Sequence, residues 1–338
     1  LARRAGGTRC SLFAAVMAAA APPNRAVRWV RPSPRRRRWP LLLSALACAS
    51  LIEASVWGTT RRSSAPPERP RPRSPTEGLS DLEERRFLSK QVQEMYNHAF
   101  GSYMAHAFPA DELRPLSCDG RRIRERGDLD AILGNYSMTL IDALDSLVVF
   151  GRYDDFRAAV DHVVNHVSFD VDLEVSTFEV NIRILGGLLG GHMHATMLLE
   201  GYAGGLLDQA LDLAKRLQRA FDTPTGLPLS RINLHGRRSE GGSPIVTVAE
   251  AGSFLLEFGM LSQITSDWQY YRTARKALLA FWNKRSSLGL LGTAVDVNTG
   301  EFQDSQSTTG PGQDSFFEYL LKGYILFDDL ELLDVFWQ

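Results

Sequence analysis

Two kinds of apolar pattern alternate along residues 88–338. In "LSKQVQEMYNHAFGSYMAHAF" (88–108), "YDDFRAAVDHVVNHV" (153–167), "LLDQALDLAKRLQRAF" (206–221) and "WQYYRTARKALLAFWNKR" (268–285), apolar residues recur every three or four positions and leave one polar face. That periodicity predicts amphipathic helices at a protein surface. In "MTLIDALDSLVVFG" (138–151), "FEVNIRILGGLLGG" (178–191), "AEAGSFLLEFGMLSQI" (249–264) and "DSFFEYLLKGYILF" (314–327), apolar residues run nearly all round. Such helices are buried on every side. Inner and outer helices in strict alternation predict repeating helical hairpins with long connections, closing into an all-α toroid.

Each inner segment carries a carboxylate in or near its first turn: Asp142, Glu179, Glu250 and Asp314, the last three 71 and 64 residues apart. Acids at matching ends of a toroid converge on one rim. Taken singly they have a plainer reading. A first-turn carboxylate complements the helix dipole by roughly 0.3–1 kcal/mol, Ser176 or Thr177 can cap the helix before Glu179, and Glu179 with Arg183 is an ordinary i, i+4 pair. Recurrence of the acid on successive buried helices favours a pocket, because burying charge repeatedly is costly without a use. Asp142 and Asp145 are read as structural, as are His192 and His194.

Composition adds a compartment. The chain has 338 residues, 44% hydrophobic and 23% charged, with a net charge of −1, which points to a globular protein and to no nucleic-acid partner. Residues 1–58 differ. From Met17, a basic stretch ending at Arg35–Arg38 precedes the apolar run "WPLLLSALACASLI" (39–52). The run falls short of the ~20 residues that span a bilayer and fits a cleaved secretory signal better than an uncleaved anchor. A membrane enters only if that segment stays as an anchor. Residues 59–84, rich in Pro, Arg and Ser, read as a linker, and 85–338 as the folded domain. Cys118 is then the only cysteine of the mature region. It is either a small buried thiol or half of a disulfide with a cysteine outside this chain. Asn135-Tyr136-Ser137 is an N-glycan acceptor if exposed.

"HAFPADELRPLSCDG" (106–120), "NYSMTLIDALDSLVVFG" (135–151), "STFEVNIRILGGLLGGH" (176–192), "TPTGLPLSRINL" (223–234) and "GQDSFFEYLLKGYILF" (312–327) resemble, in order and spacing, the class I α-1,2-mannosidases of glycoside hydrolase family 47. "DELRPLSCDG", with a sequon before "SMTLIDALDSL", is most similar to the ER degradation-enhancing α-mannosidase-like branch. That branch tends to carry a cysteine near 245–250, where this chain has none, and Pro311 stands where glycine or alanine is usual.

The resemblance implies an (α/α)7 barrel, an inverting mechanism and a bound Ca²⁺. It implies Glu179 as proton donor, Asp314 as a second catalytic carboxylate, and Arg183 beside the terminal mannose. Glu250 and Glu318 are expected to contact the sugar, and Glu257 is left as a subsite or structural acid. Inversion needs one acid on the leaving oxygen and one base on a water, with carboxyls about 6.5–9.5 Å apart. The barrel is expected to be incomplete, with a third glutamate and the Ca²⁺-binding threonine beyond Gln338, so that this chain alone is inactive. The expected substrate is terminal α-1,2-mannose on high-mannose N-glycans of misfolded glycoproteins in the ER lumen. An ER oxidoreductase is a candidate partner. The competing reading is a lectin-like adaptor that binds glycan or client without turnover.

Overall fold

A computed structural model describes residues 76, 78–126, 130–237 and 243–338; the targeting segment and the linker up to residue 75 lie outside them. Helix α1 (Asp81–His106) begins inside the stretch assigned to the linker, because Ser80 and Glu83 form a capping box there. Phe100 and Tyr103 bury its C-terminal half, whereas Leu82, Leu88, Val92 and Met95 are exposed.

Four hairpins follow, each an inner segment and an outer helix. The first pairs α2 (Met138–Asp142) and α3 (Leu144–Val149) with α4 (Tyr153–His166). The second runs from α5 (Thr177–Glu179) through a π-helical turn (Val180–Leu185) into α6 (Gly186–Leu198), then α7 (Gly205–Gln218). The third joins α8 (Val248–Gly252) and α9 (Leu255–Thr265) to α10 (Gln269–Trp282), and the fourth α11 (Asp314–Phe327) to α12 (Leu330–Trp337). Inner segments touch in sequence order, α3 on α6, α6 on α9 and α9 on α11. The alternation read from the sequence is therefore the arrangement of the layers.

The outer helices bury one stripe each. In α7 this is Leu206, Ala210, Leu213, Ala214 and Leu217, the i, i+3, i+4 spacing of an amphipathic helix. The inner helices approach closely through glycine: a Cβ on Gly187 would lie 2.6 Å from the Ile141 carbonyl oxygen. Three of the four inner segments are not the continuous helices that the pattern predicts. The first breaks at Ala143, the third at Ser253 (φ −101°, ψ 54°), and the second carries the π turn. Apolar periodicity reports burial, which persists across such breaks.

Three antiparallel ribbons, too short to show a strand period, set where the inner segments start: β1 (Leu113–Arg114) with β2 (Asp119–Gly120), β3 (Glu174–Ser176) with β4 (Arg231–Asn233), and β5 (Ile245–Thr247) with β6 (Ala294–Asp296). β3 leads directly into α5 and β5 into α8. The Thr177 N–H donates to the Ser230 carbonyl at 3.0 Å, and the Ala249 N–H to the Gly312 carbonyl at 2.9 Å. The second bond ties the start of α8 to the loop before Asp314. Among the described residues no helix is long and apolar enough to cross a membrane.

Candidate active site

Glu179 closes the first turn of α5, its N–H received by the Ser176 hydroxyl at 3.3 Å. The π turn begins at the next residue, and such turns concentrate at functional sites because they re-aim side chains on a buried helix. Within that turn the Arg183 Nε donates to Glu179 Oε2 at 2.8 Å, while Arg183 Nη1 lies 3.6 Å from Asp142 Oδ2. One guanidinium therefore bridges two carboxylates from neighbouring inner segments. Arg183 and Asp142 line an open cleft of about 400 Å³, with Glu112, Met138, Thr139 and Ser146 among its walls.

Asp142 belongs to this cleft, although from its sequence it is read as structural. The cleft walls desolvate it and raise its carboxyl; Arg183 opposes that shift, and Asp145 and Glu179 reinforce it. No spacing rule pairs residue 142 with 183, so only the packing of the two segments reveals the contact.

Asp111, which no local spacing marks in the sequence, builds the wall beneath. Its buried carboxylate accepts four backbone N–H groups: Gly134 at 2.9 Å and Asn135 at 2.6 Å on Oδ2, Tyr136 at 2.9 Å and Met138 at 3.0 Å on Oδ1. Its carbonyl receives the Thr139 N–H at 3.1 Å and the Thr139 hydroxyl at 2.6 Å. This is side-chain capping from a distant residue, and it seats the first turn of α2 on the cleft.

Asp314 is exposed at the first position of α11. Gln313 before it is fully buried: its Nε2 donates to the carbonyls of Leu291 (2.9 Å) and Gly292 (2.6 Å), and its Oε1 accepts the Thr308 N–H at 3.0 Å. The loop carrying Asp314 is thereby anchored whatever Pro311 contributes. Glu250 Oε2 accepts the Thr247 N–H at 2.9 Å and its hydroxyl at 3.0 Å, a capping box for α8. The signature, Thr-Val-Ala-Glu at 247–250, was legible in the sequence. Glu318 is exposed and ion-paired with Lys322.

Glu257 is the acid that the structure sets apart. The Asn181 amide donates to its Oε2 at 2.8 Å, and the Tyr319 hydroxyl reaches Oε1 at 3.0 Å and Oε2 at 3.2 Å. Burial pushes its carboxyl up to about 7, against both hydrogen bonds. Cys118 is exposed at the turn between β1 and β2 and forms no disulfide among the described residues. Asn135 is exposed, while the Ser137 hydroxyl is buried against the Pro109 carbonyl at 2.9 Å. His192 meets the Tyr202 hydroxyl at 3.1 Å and His194 lies edge-on to Phe156, contacts that hold helices together.

Among the described residues no three His, Cys, Asp or Glu side chains cluster as a metal site. None of these residues is assigned to Ca²⁺.

The chain is similar to known proteins. The chain is 42% identical to human "ER degradation-enhancing alpha-mannosidase-like protein 3" over 90% of its own length and 33% of that protein's. It is 41% identical to "Alpha-mannosidase I MNS4" of Arabidopsis thaliana, over 75% of this chain and 40% of the relative. The structure of an alpha-1,2-mannosidase from Trichoderma reesei superposes with a TM-score of 0.64 at 31% identity, covering 73% of this chain and 51% of that one. The chain thus spans well under half the length of these curated relatives. Residues 95–338 match the sequence model of glycosyl hydrolase family 47, and with the inner-helix acids and the toroidal layering in place, the chain belongs to that family.

Proposed function

We propose that this chain supplies the acid-bearing half of an inverting α-mannosidase that removes terminal α-1,2-linked mannose from high-mannose N-glycans of misfolded glycoproteins in the ER lumen. The observation that carries this reading is the Glu179–Arg183–Asp142 bridge on an open cleft, at the end of an inner segment. Glycosidic cleavage with inversion requires a protonated carboxyl on the leaving oxygen and a second carboxylate that activates water on the opposite face of the sugar. Glu179 takes the first role. Arg183, held between two acids, fixes the direction of the Glu179 carboxyl and offers its remaining N–H groups to sugar hydroxyls. Asp314, exposed on an anchored loop, takes the second role.

The test is Glu179→Gln in the full-length gene product. Mannose release from a high-mannose glycan should fall about 10²–10⁴-fold, the usual cost of losing a general acid, with an unchanged melting curve. A Gln variant that trims at the wild-type rate removes Glu179 from the mechanism. A wild-type protein that binds the glycan without releasing mannose supports the lectin-like alternative.

A further inference from the structure

We propose that Glu257 is a positioning residue, the hub of a hydrogen-bonded circuit, completed along one turn of helix α11, that fixes the inner segment bearing Glu179 against the helix bearing Asp314. The proposal rests on the mannosidase reading for its purpose, and on geometry for its existence.

The ring has five members. The Asn181 Nδ2 donates both to Glu257 Oε2 (2.8 Å) and to the Ser253 carbonyl (3.0 Å). Both partners are acceptors, so the amide can face only one way. The Ser253 hydroxyl donates to the Ser315 hydroxyl at 2.7 Å, and Tyr319 returns to Glu257 at 3.0 Å. Ser315 and Tyr319 stand one turn apart on α11, which closes the circuit.

The placement of these residues points to the site. Asn181 is two residues after Glu179, within the π turn, and Ser315 is the residue after Asp314. Ser253 sits at the break between α8 and α9. Every ring member except the hub and Tyr319 thus lies within three residues of a first-turn acid. Elsewhere the same segments meet through apolar contacts, such as Gly323 against Leu255 and Gly252 against Phe316. Apolar burial is non-directional and tolerates sliding; a hydrogen-bond ring does not. A half-buried, desolvated acid is a poor choice for stability alone, since well-packed apolar residues of similar volume commonly do as well or better. An acid–base pair that must straddle one sugar gains from directional fixing, because a shift of about 1 Å can cost 100-fold in rate.

The experiment compares the wild-type full-length gene product with Tyr319→Phe, Glu257→Gln and the double variant, by mannose release and by hydrogen exchange. Tyr319→Phe removes one bond while keeping the ring's volume, so it covers the case in which Glu257→Gln folds poorly. The expected result is a fall in kcat of about 10–100-fold with KM within about threefold of wild type. The double variant should be no worse than the poorer single one, because the two residues act as one unit. Tyr319→Phe should also speed exchange in both 178–185 and 313–319. A kcat within about twofold of wild type, or single losses that multiply in the double variant, overturns the positioning role. If the wild type itself releases no mannose, the functional reading fails separately, and exchange still decides the ring: an unchanged 178–185 segment refutes it.

Discussion

Replacing Asp111 with Asn tests how the cleft is built. The side chain keeps its shape, but one oxygen becomes an NH₂ that cannot accept. Each carboxylate oxygen receives two backbone N–H groups, so two of the four bonds are lost. The donors come from a loop whose Asn135 and Ser137 adopt φ of 58° and 57°, left-handed values that non-glycine residues hold only when the surroundings impose them. Hydrogen bonds to a charged acceptor contribute about 1.5–3 kcal/mol each, which places the loss at about 3 kcal/mol or more. For a domain of this size each kcal/mol moves the melting temperature by about 2–4 °C, so Asp111→Asn should melt roughly 6–12 °C below wild type. Circular dichroism of the purified protein reads this directly. A melting temperature within about 2 °C of wild type would mean that the four bonds do not hold the α2 start, and the account of the cleft wall would fail.

Further expectations concern packing and pH. Gly187→Ala drives a Cβ to 2.6 Å from a backbone oxygen that cannot swing aside, and should cost about 1–3 kcal/mol. Gly101→Ala in α1, where a Cβ meets nothing within 4 Å, should instead stabilise by roughly 0.5–1 kcal/mol; chemical denaturation of the pair compares them. Because the Glu257 carboxyl is raised to about 7 in the fold from an ordinary 4.5, the native state holds its proton more tightly than the unfolded chain. That stability is complete below about pH 4.5 and is lost as pH rises through 7, a change of about 3 kcal/mol at most. Glu257→Gln should therefore flatten the decline in melting temperature between those limits; equal slopes in the two proteins would place the titration elsewhere.

The layers and the Glu179–Arg183 pair were legible because both follow local rules: a 3.6-residue apolar period, and an i, i+4 pairing. What escaped depends on which segments become neighbours. Asp142 meets Arg183 across two inner segments, Asp111 caps a helix that begins 27 residues later, and the Asn181–Glu257–Tyr319 contacts draw on three hairpins. The breaks at Ala143 and Ser253 lie inside segments whose helical apolar spacing continues on both sides, so the pattern passes over them. Glu250 is different: its capping box is local, and a reading alert to Thr-x-x-Glu would have found that role.

The most direct test of the central claim follows the anomer of released mannose by proton NMR during the first minutes of hydrolysis by the full-length gene product. An inverting site with Glu179 as its acid delivers β-mannose first, from α-linked substrate, and about 10²–10⁴-fold less of it from Glu179→Gln. If α-mannose appears first, or the Gln variant releases mannose at the wild-type rate, the two-carboxylate inverting site assigned to Glu179 and Asp314 is contradicted.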